Sequence, residues 1–259
     1  MAISMIPMVE KDCGIRLQAI LPLALAGTLP QHEILYLCGL YRRIAVCKLF
    51  LLGRPEGFFR HLSSSARAFA SFLHTNTDAV KATAQSAPFY DAIAAGDHEC
   101  ARRIAFTSRT TWHEGKEYED DFLHVSFLMR CFFQGAGDDE LGLLLDRYQT
   151  CLEGGSDPRL DICRALHARE AQDFNDALAD LMNLEARKAG ARLARDQLDP
   201  DAAATTAKIS IEGIALTHLA ERRGLAIRRD YRLIPSLARM VQRASPPEPD
   251  GWMSYVPFS

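Results

Sequence analysis

The sequence predicts an all-α fold, a multi-helix bundle of antiparallel helical hairpins with about ten helices. Three observations carry that reading. Apolar residues recur at three- and four-residue steps over many segments, the period of a helix face. Alternating apolar and polar runs rich in β-branched residues hardly occur, so strands have little to form from. Helix-boundary residues also fall where the periodic segments begin and end.

Taken in order, helices are expected near 12–27, 31–52, 56–75, 77–95, 97–109, 116–134, 138–153, 158–187, 206–223 and 232–243. The first two are strongly apolar, and Ala24-Leu25-Ala26 superficially resembles a leader-peptide cleavage site. Glu10 and Asp12 stand where a leader would be basic, and Pro22 interrupts the run. Arg42, Arg43 and Lys48 likewise spoil the second run as a membrane span, so both are expected to be buried helices. Tyr118, Phe122, Val125, Met129 and Phe132 make one apolar stripe. Leu160, Cys163, Ala171, Phe174, Leu178 and Leu181 make a longer one, with His167 at the core edge. Asp157-Pro158 is an N-cap and first-turn pair. Gly135 to Gly137 marks a turn, after which Asp138, Asp139 and Glu140 suit the positive end of a helix dipole. Gly224 after Arg222 and Arg223 reads as a left-handed C-terminal glycine. The tail with Pro246, Pro247 and Pro249 is expected to be extended. The polar stretches 108–116 and 196–206 are loops or lobe linkers. A single all-α domain over 1–259 is expected, with 1–108 and 115–245 as the two lobes if it divides.

Length and composition fit a globular protein with a large core: 259 residues, 48% hydrophobic and 24% charged. A net charge of −3 lacks the basic excess of a general nucleic-acid binder. The seven cysteines form no CxxC pair, and several sit in apolar stretches. They read as reduced core thiols rather than a disulfide framework, which suits the cytoplasm.

Catalytic signatures are missing: there is no P-loop, no GxGxxG after a strand, no GxSxG and no HExxH. No catalytic residue, cofactor or resident metal is expected. Ser63-Ser64-Ser65 reads as a helix cap or a solvated patch. Asp97-His98-Glu99-Cys100 gathers possible ligands, but adjacent helical residues diverge. Asp120 and His124, four apart on one helix, are the best metal candidates, although a helical site needs ligands from several helices. A metal-dependent helical hydrolase built on that pair is one alternative. A helical-repeat adaptor or chaperone scaffold is another, although no period near 34 residues is visible.

Charge is distributed unevenly. Between Thr111 and Asp146 the acids Glu114, Glu117, Glu119, Asp120, Asp121, Asp138, Asp139, Glu140 and Asp146 are opposed by few cations. Between Glu221 and Arg243 arginine dominates. The acids either cap helices and pair internally with those arginines, or form a patch that attracts a basic partner. Trp112, Tyr118 and Tyr148 are candidate anchors near the acids. Tyr118 lies on the apolar stripe and is expected to pack in the core. Glycine inside a helix is unfavourable by about 1 kcal/mol, so Gly213 implies close approach of a neighbouring helix, with Glu212 pairing with an arginine or capping.

Two stretches carry a family resemblance. Glu117-Tyr118-Glu119-Asp120-Asp121-Phe122, running into Phe127-Leu128-Met129, resembles the signature helix of an all-α immunity-protein family. Ile211-Glu212-Gly213-Ile214-Ala215-Leu216, continuing through Leu219-Ala220-Glu221-Arg222-Arg223-Gly224-Leu225, is similar to that family's C-terminal helix, as is Leu233-Ile234-Pro235. The likeness spans residues 97–243. The family comprises antidotes to bacterial polymorphic toxins, including nuclease effectors delivered by type VI secretion. The resemblance implies a cognate toxin as partner, with no direct nucleic-acid or membrane binding and the chain a monomer or a homodimer. The toxin's active site or substrate surface would be blocked. The partner-binding residues would be Trp112, Glu114, Glu117, Glu119, Asp120, Asp121, Asp138, Asp139 and Glu140.

Overall fold

A computed structural model describes residues 5–53, 55–76, 79–241 and 248–255. As expected, it is all-α. The helices are α1 (Ile6–Leu25), α2 (Gln31–Leu52), α3 (Pro55–Thr75), α4 (Ala87–Ala94), α5 (His98–Thr107), α6 (Glu119–Met129), α7 (Asp138–Cys151), α8 (Pro158–Ala168), α9 (Ala171–Ala194), α10 (Pro200–Ala204) and α11 (Ile211–Arg222).

Sequential helices pack as antiparallel hairpins. Lys48 on α2 pairs with Glu10 on α1 at 3.0 Å, while Arg16 reaches Tyr36, so the two helices run in opposite directions. On α3, Ser65 accepts from Cys38 of α2 at its carbonyl (3.2 Å). The α6–α7 pair is closed by Glu119–Arg147 at one end and Arg130–Glu140 at the other. α11 lies against α4, with His218 Nδ1 3.2 Å from the Ile93 carbonyl. One hydrophobic cluster runs from Ile6 through Tyr41, Phe58, Phe89, Phe127 and Phe174 to Trp252.

Local chemistry explains most boundaries. Asp157 accepts from the Arg159 amide (2.9 Å), and Asp97 from that of Cys100 (3.2 Å). Gly135 takes φ +75° after Gln134 and closes the helix that α6 begins. Gly213 is where the packing demands no side chain, since a Cβ there would sit 2.8 Å from both Met182 Sδ and Ile234 Cδ1.

Several expectations are corrected. α1 starts at Ile6, earlier than expected, and continues through Pro22. Residues 79–86 are irregular, and α4 begins only at Ala87, with Pro88 in its first turn. The 116–134 helix starts at Glu119 and finishes in a π-helical turn, Arg130–Gln134. The expected 158–187 helix is two helices. Arg169 adopts φ +60° and the Glu170 amide turns back to the Ala165 carbonyl (2.9 Å), so the direction reverses although the apolar stripe continues. The 206–223 segment opens as a 3-10 turn, Thr206–Lys208, and α11 proper begins after Ser210. In place of a helix over 232–243 there is a bridge between Tyr231 and Ile234, then one 3-10 turn, Ser236–Arg239. Ser63, Ser64 and Ser65 are buried in mid-α3, where Ser63 donates to Asp97 (2.8 Å) and Ser65 to Asp91 (2.6 Å). Pro246 and Pro247 lie outside the described residues. Beyond them, Trp252 packs into the core and its carbonyl accepts from Tyr41 Oη (2.6 Å), so that part of the tail folds back. All seven cysteines are free thiols, five of them buried.

Candidate partner-binding surface

The antiparallel course of α6, α7 and α8 decides how the acidic residues are arranged. α6 and α8 start at the same end of the bundle, as Arg159 in the first turn of α8 joins Asp121 (2.6 Å) and Asp120 (3.3 Å) in the first turn of α6. α7 starts at the opposite end, where Asp138 lies 3.9 Å from His167 near the end of α8. One run of acids in the sequence therefore becomes two groups. Glu117, Glu119, Asp120 and Asp121 lie at one end, and Asp138, Asp139 and Glu140 at the other, about 20 Å away for a helix of this length at 1.5 Å per residue.

Internal pairing accounts for much of the first group. Glu117 accepts from the amides of Ala84 (2.8 Å) and His113 (3.2 Å), tying the loop before α6 to the segment before α4. Trp112 is half-buried and donates its indole N–H to the Glu117 carbonyl (3.0 Å). Glu119 pairs with Arg147. Arg159 joins Asp120, Asp121 and Asp157, and Asp157 also accepts from Tyr148 Oη (2.7 Å). In the second group Glu140 pairs with Arg130. Glu114 and Asp139 are exposed and make no ion pair among the described residues. Of the arginines of 221–239, Arg228 pairs with Asp176 and Arg239 with Glu221, neither with the acids of 114–140.

Two aromatic expectations reverse. Tyr148 is buried, so it is a core residue. Tyr118 is 79% exposed, because it is the extended residue preceding α6 rather than a member of its inner face.

His124, one turn into α6, turns inward and is 1% exposed, away from Asp120. An imidazole protonated on Nε2 donates to Glu212 Oε1 (3.1 Å) and accepts the Cys163 S–H at Nδ1 (3.4 Å). Thiol, imidazole and carboxylate are the parts of a nucleophilic triad, but Cys163 is fully buried and burial pushes its thiol well up. A neutral, inaccessible thiol makes this a structural tie between α6, α8 and α11. Burial, the largest single influence, would raise Glu212, but the His124 hydrogen bond and the electrostatic attraction of His124 and Arg159 together hold the carboxyl below its usual value. Asp120 and His124 thus face different partners.

Glu212 also lines a cleft of about 320 Å³ beside the first acidic group. Its walls are Ala84, Ser86 and Tyr90 around the start of α4, Glu185 on α9, Thr206, Ile209, Ser210 and Ile211 before and at the start of α11, and Arg42 on α2. Arg42 is held by buried Asp91 at 2.8 Å. Glu185 is pushed up to about 7, first by burial and then by Glu212. Sequence reasoning missed Glu185 and Tyr90 because neither lies in a motif. Only the packing of α4, α9 and α11 brings them together.

No curated protein and no solved structure matches the chain. The model of one family, immunity protein 49, matches residues 42–238, which takes in the second half of α2 and α3 to α5 as well as the two stretches that carry the resemblance. The chain belongs to the immunity protein 49 family.

Proposed function

We propose that this immunity protein neutralises a secreted effector of a polymorphic-toxin or type VI system, most simply a nuclease, by binding it in the cytoplasm and covering its active site or substrate surface. The family match supports the antidote role and a toxin partner in general. The docking surface is the end of the bundle where α6 and α8 begin, with Glu114, Glu117, Glu119, Asp120 and Asp121 around exposed Tyr118 and half-buried Trp112. The observation that carries this choice is Tyr118, a large aromatic 79% exposed beside a row of carboxylates. A nuclease needs a basic face for phosphate contacts, and an acidic rim with an aromatic anchor is complementary to it. The second group, Asp138, Asp139 and Glu140, is a separate acidic edge of the same molecule.

Neutralising a lethal enzyme calls for nanomolar to picomolar affinity, roughly −12 to −16 kcal/mol. The test is a titration against the product of the neighbouring gene, inactivated, together with rescue of growth on co-expression. Tyr118→Ala is expected to speed dissociation at least tenfold. Glu114→Lys with Glu119→Lys is expected to slow association and flatten its salt dependence. These positions are preferable to Asp120 and Asp121: Glu114 makes no ion pair among the described residues and Glu119 pairs with the half-exposed Arg147, whereas reversing Asp120 and Asp121 would strand the more buried Arg159. Tight binding that none of these changes affects would move the interface elsewhere, and no binding with no rescue would end the immunity reading.

A further inference from the structure

The cleft between α4, α9 and the start of α11 has features that the bundle does not require. Glu185 and Glu212 are two carboxyls in one space of about 320 Å³, at the small end of ligand pockets, which run from roughly 300 to 1,000 Å³. Glu212 is held by His124 (3.1 Å), whereas Glu185 has no ion-pair partner among the described residues. Tyr90 on the cleft wall is only 6% exposed, and its Oη, although near the Ser86 hydroxyl, is in hydrogen-bonding geometry with no atom of the described residues. A buried hydroxyl left unsatisfied costs about 1–3 kcal/mol, and Tyr90 is one of the residues that line the cleft.

The charges around this space have settled partners. Arg42 is bound by Asp91 and Arg159 by Asp120, Asp121 and Asp157. Lys188 acts on Glu185 only at a distance. The positive start of α11 is capped, with Ser210 Oγ accepting from the Gly213 amide (3.0 Å). Glu185 accepts from the Ser210 hydroxyl and Glu212 from His124, and what is left open is the remaining acceptor capacity of the two carboxylates and the phenol oxygen. Two carboxyls and a phenol oxygen lining one small space suit a cation with several N–H groups, the Tyr90 O–H remaining free to donate to a carboxylate.

We infer that this cleft is a receptor for one organic cation, a guanidinium or ammonium group, held by Glu185 and Glu212 with Tyr90 as the third acceptor. Two sources can supply such a group. One is an arginine or lysine side chain of the toxin, since the cleft adjoins the acidic end through Ala84, whose amide Glu117 binds. The other is a free small amine. The cleft itself stands on geometry, and only the toxin source rests on the proposed function. Binding a cation would favour ionised Glu185, so a proton would leave as the group enters.

The probe is methylguanidinium chloride added to the ¹⁵N-labelled full-length chain at constant ionic strength, with sodium chloride as control. Saturable shifts confined to Tyr90, Glu185, Glu212 and Gly213, with proton release at pH 6.5, are expected. Glu185→Gln should weaken that binding at least tenfold and Tyr90→Phe severalfold, with the helical circular dichroism unchanged. Absence of saturable shifts at pH 8, or equal binding by Glu185→Gln, overturns the inference and leaves the two carboxyls as a pair sharing a proton. The source is read with the toxin. If Glu185→Gln, or saturating methylguanidinium, weakens the complex tenfold, the cation is the toxin's side chain. If methylguanidinium binds but the complex is indifferent to it, the cation is a free amine. A chain that takes up methylguanidinium but binds no toxin would retain the receptor and lose the immunity reading.

Discussion

At the scale of single residues, Asp157 joins three groups at once: the α8 amide of Arg159, the Arg159 guanidinium and the buried Tyr148 hydroxyl. Asp157→Ala removes an N-cap worth about 1 kcal/mol and leaves a buried hydroxyl unpaired at about 1–3 kcal/mol. Urea denaturation is expected to register a loss of roughly 2–4 kcal/mol, and a loss under 1 would contradict this account. Burial alone would raise the Asp157 carboxyl, but the hydrogen bonds and charge of Arg159 hold it below its usual value. Its folded pKa is then lower than its unfolded one, near 3.9. Its stabilisation is present above that unfolded value and disappears as pH falls through the folded one. The N-cap was legible because the bond spans two residues. The Tyr148 contact was not, because burial of Tyr148 depends on α8 folding back beside α7.

Among the elements, the break between α8 and α9 separates what periodicity reveals from what it hides. Leu160, Cys163, Phe174, Leu178 and Leu181 all face the core, as their spacing requires, although the chain reverses between them. No glycine or proline marks the reversal. Arg169 takes the left-handed conformation itself at φ +60°, which costs a non-glycine residue about 1–2 kcal/mol. Arg169→Gly relieves that strain against a larger unfolded-state entropy, so thermal unfolding should show a neutral to slightly raised stability, by about 0–1 kcal/mol. In an uninterrupted helix the same change would cost about 1 kcal/mol, so a clear loss would argue for continuity there. The π-helical turn at Arg130–Gln134 carries no mark of its own in the sequence, whereas the short α10 opens on the same Asp-Pro signal as α8, with Asp199 accepting from the Asp201 amide (3.0 Å).

For the whole molecule, buried titratable groups set the response to acid. His61 is buried without a hydrogen-bond partner on either ring nitrogen among the described residues, and burial pushes it down to about 3. Unfolded, it titrates near 6.5. Below 6.5 the unfolded chain therefore binds the extra proton, and stability falls with pH until about 3. The slope reaches roughly 1.4 kcal/mol per pH unit where His61 titrates alone. His218, also lowered by burial, adds to the effect. Glu185 works in the opposite direction, because its raised carboxyl favours the folded state as pH drops below about 7. His61→Phe should flatten the loss between pH 7.5 and 5 by at least about 1 kcal/mol in urea titrations. An unchanged pH profile would mean that His61 is not neutral and buried as described.

What the sequence by itself determined is the set of local properties: helical period, most caps and turns, reduced thiols, acidic first turns, and the two stretches that identify the family. These depend on residues a few positions apart, so the chain order already contains them. Only the tertiary structure decided which acids stand together, because antiparallel helices send the first turns of α6 and α7 to opposite ends. It also exposed Tyr118, buried Tyr148 and Ser63 to Ser65, and turned His124 from Asp120 toward Glu212. The cleft joining Tyr90, Glu185 and Glu212 has the same origin. Those residues are separated by long stretches of chain and meet only because burial of apolar faces, which is blind to their chemistry, packs α4, α9 and α11 together.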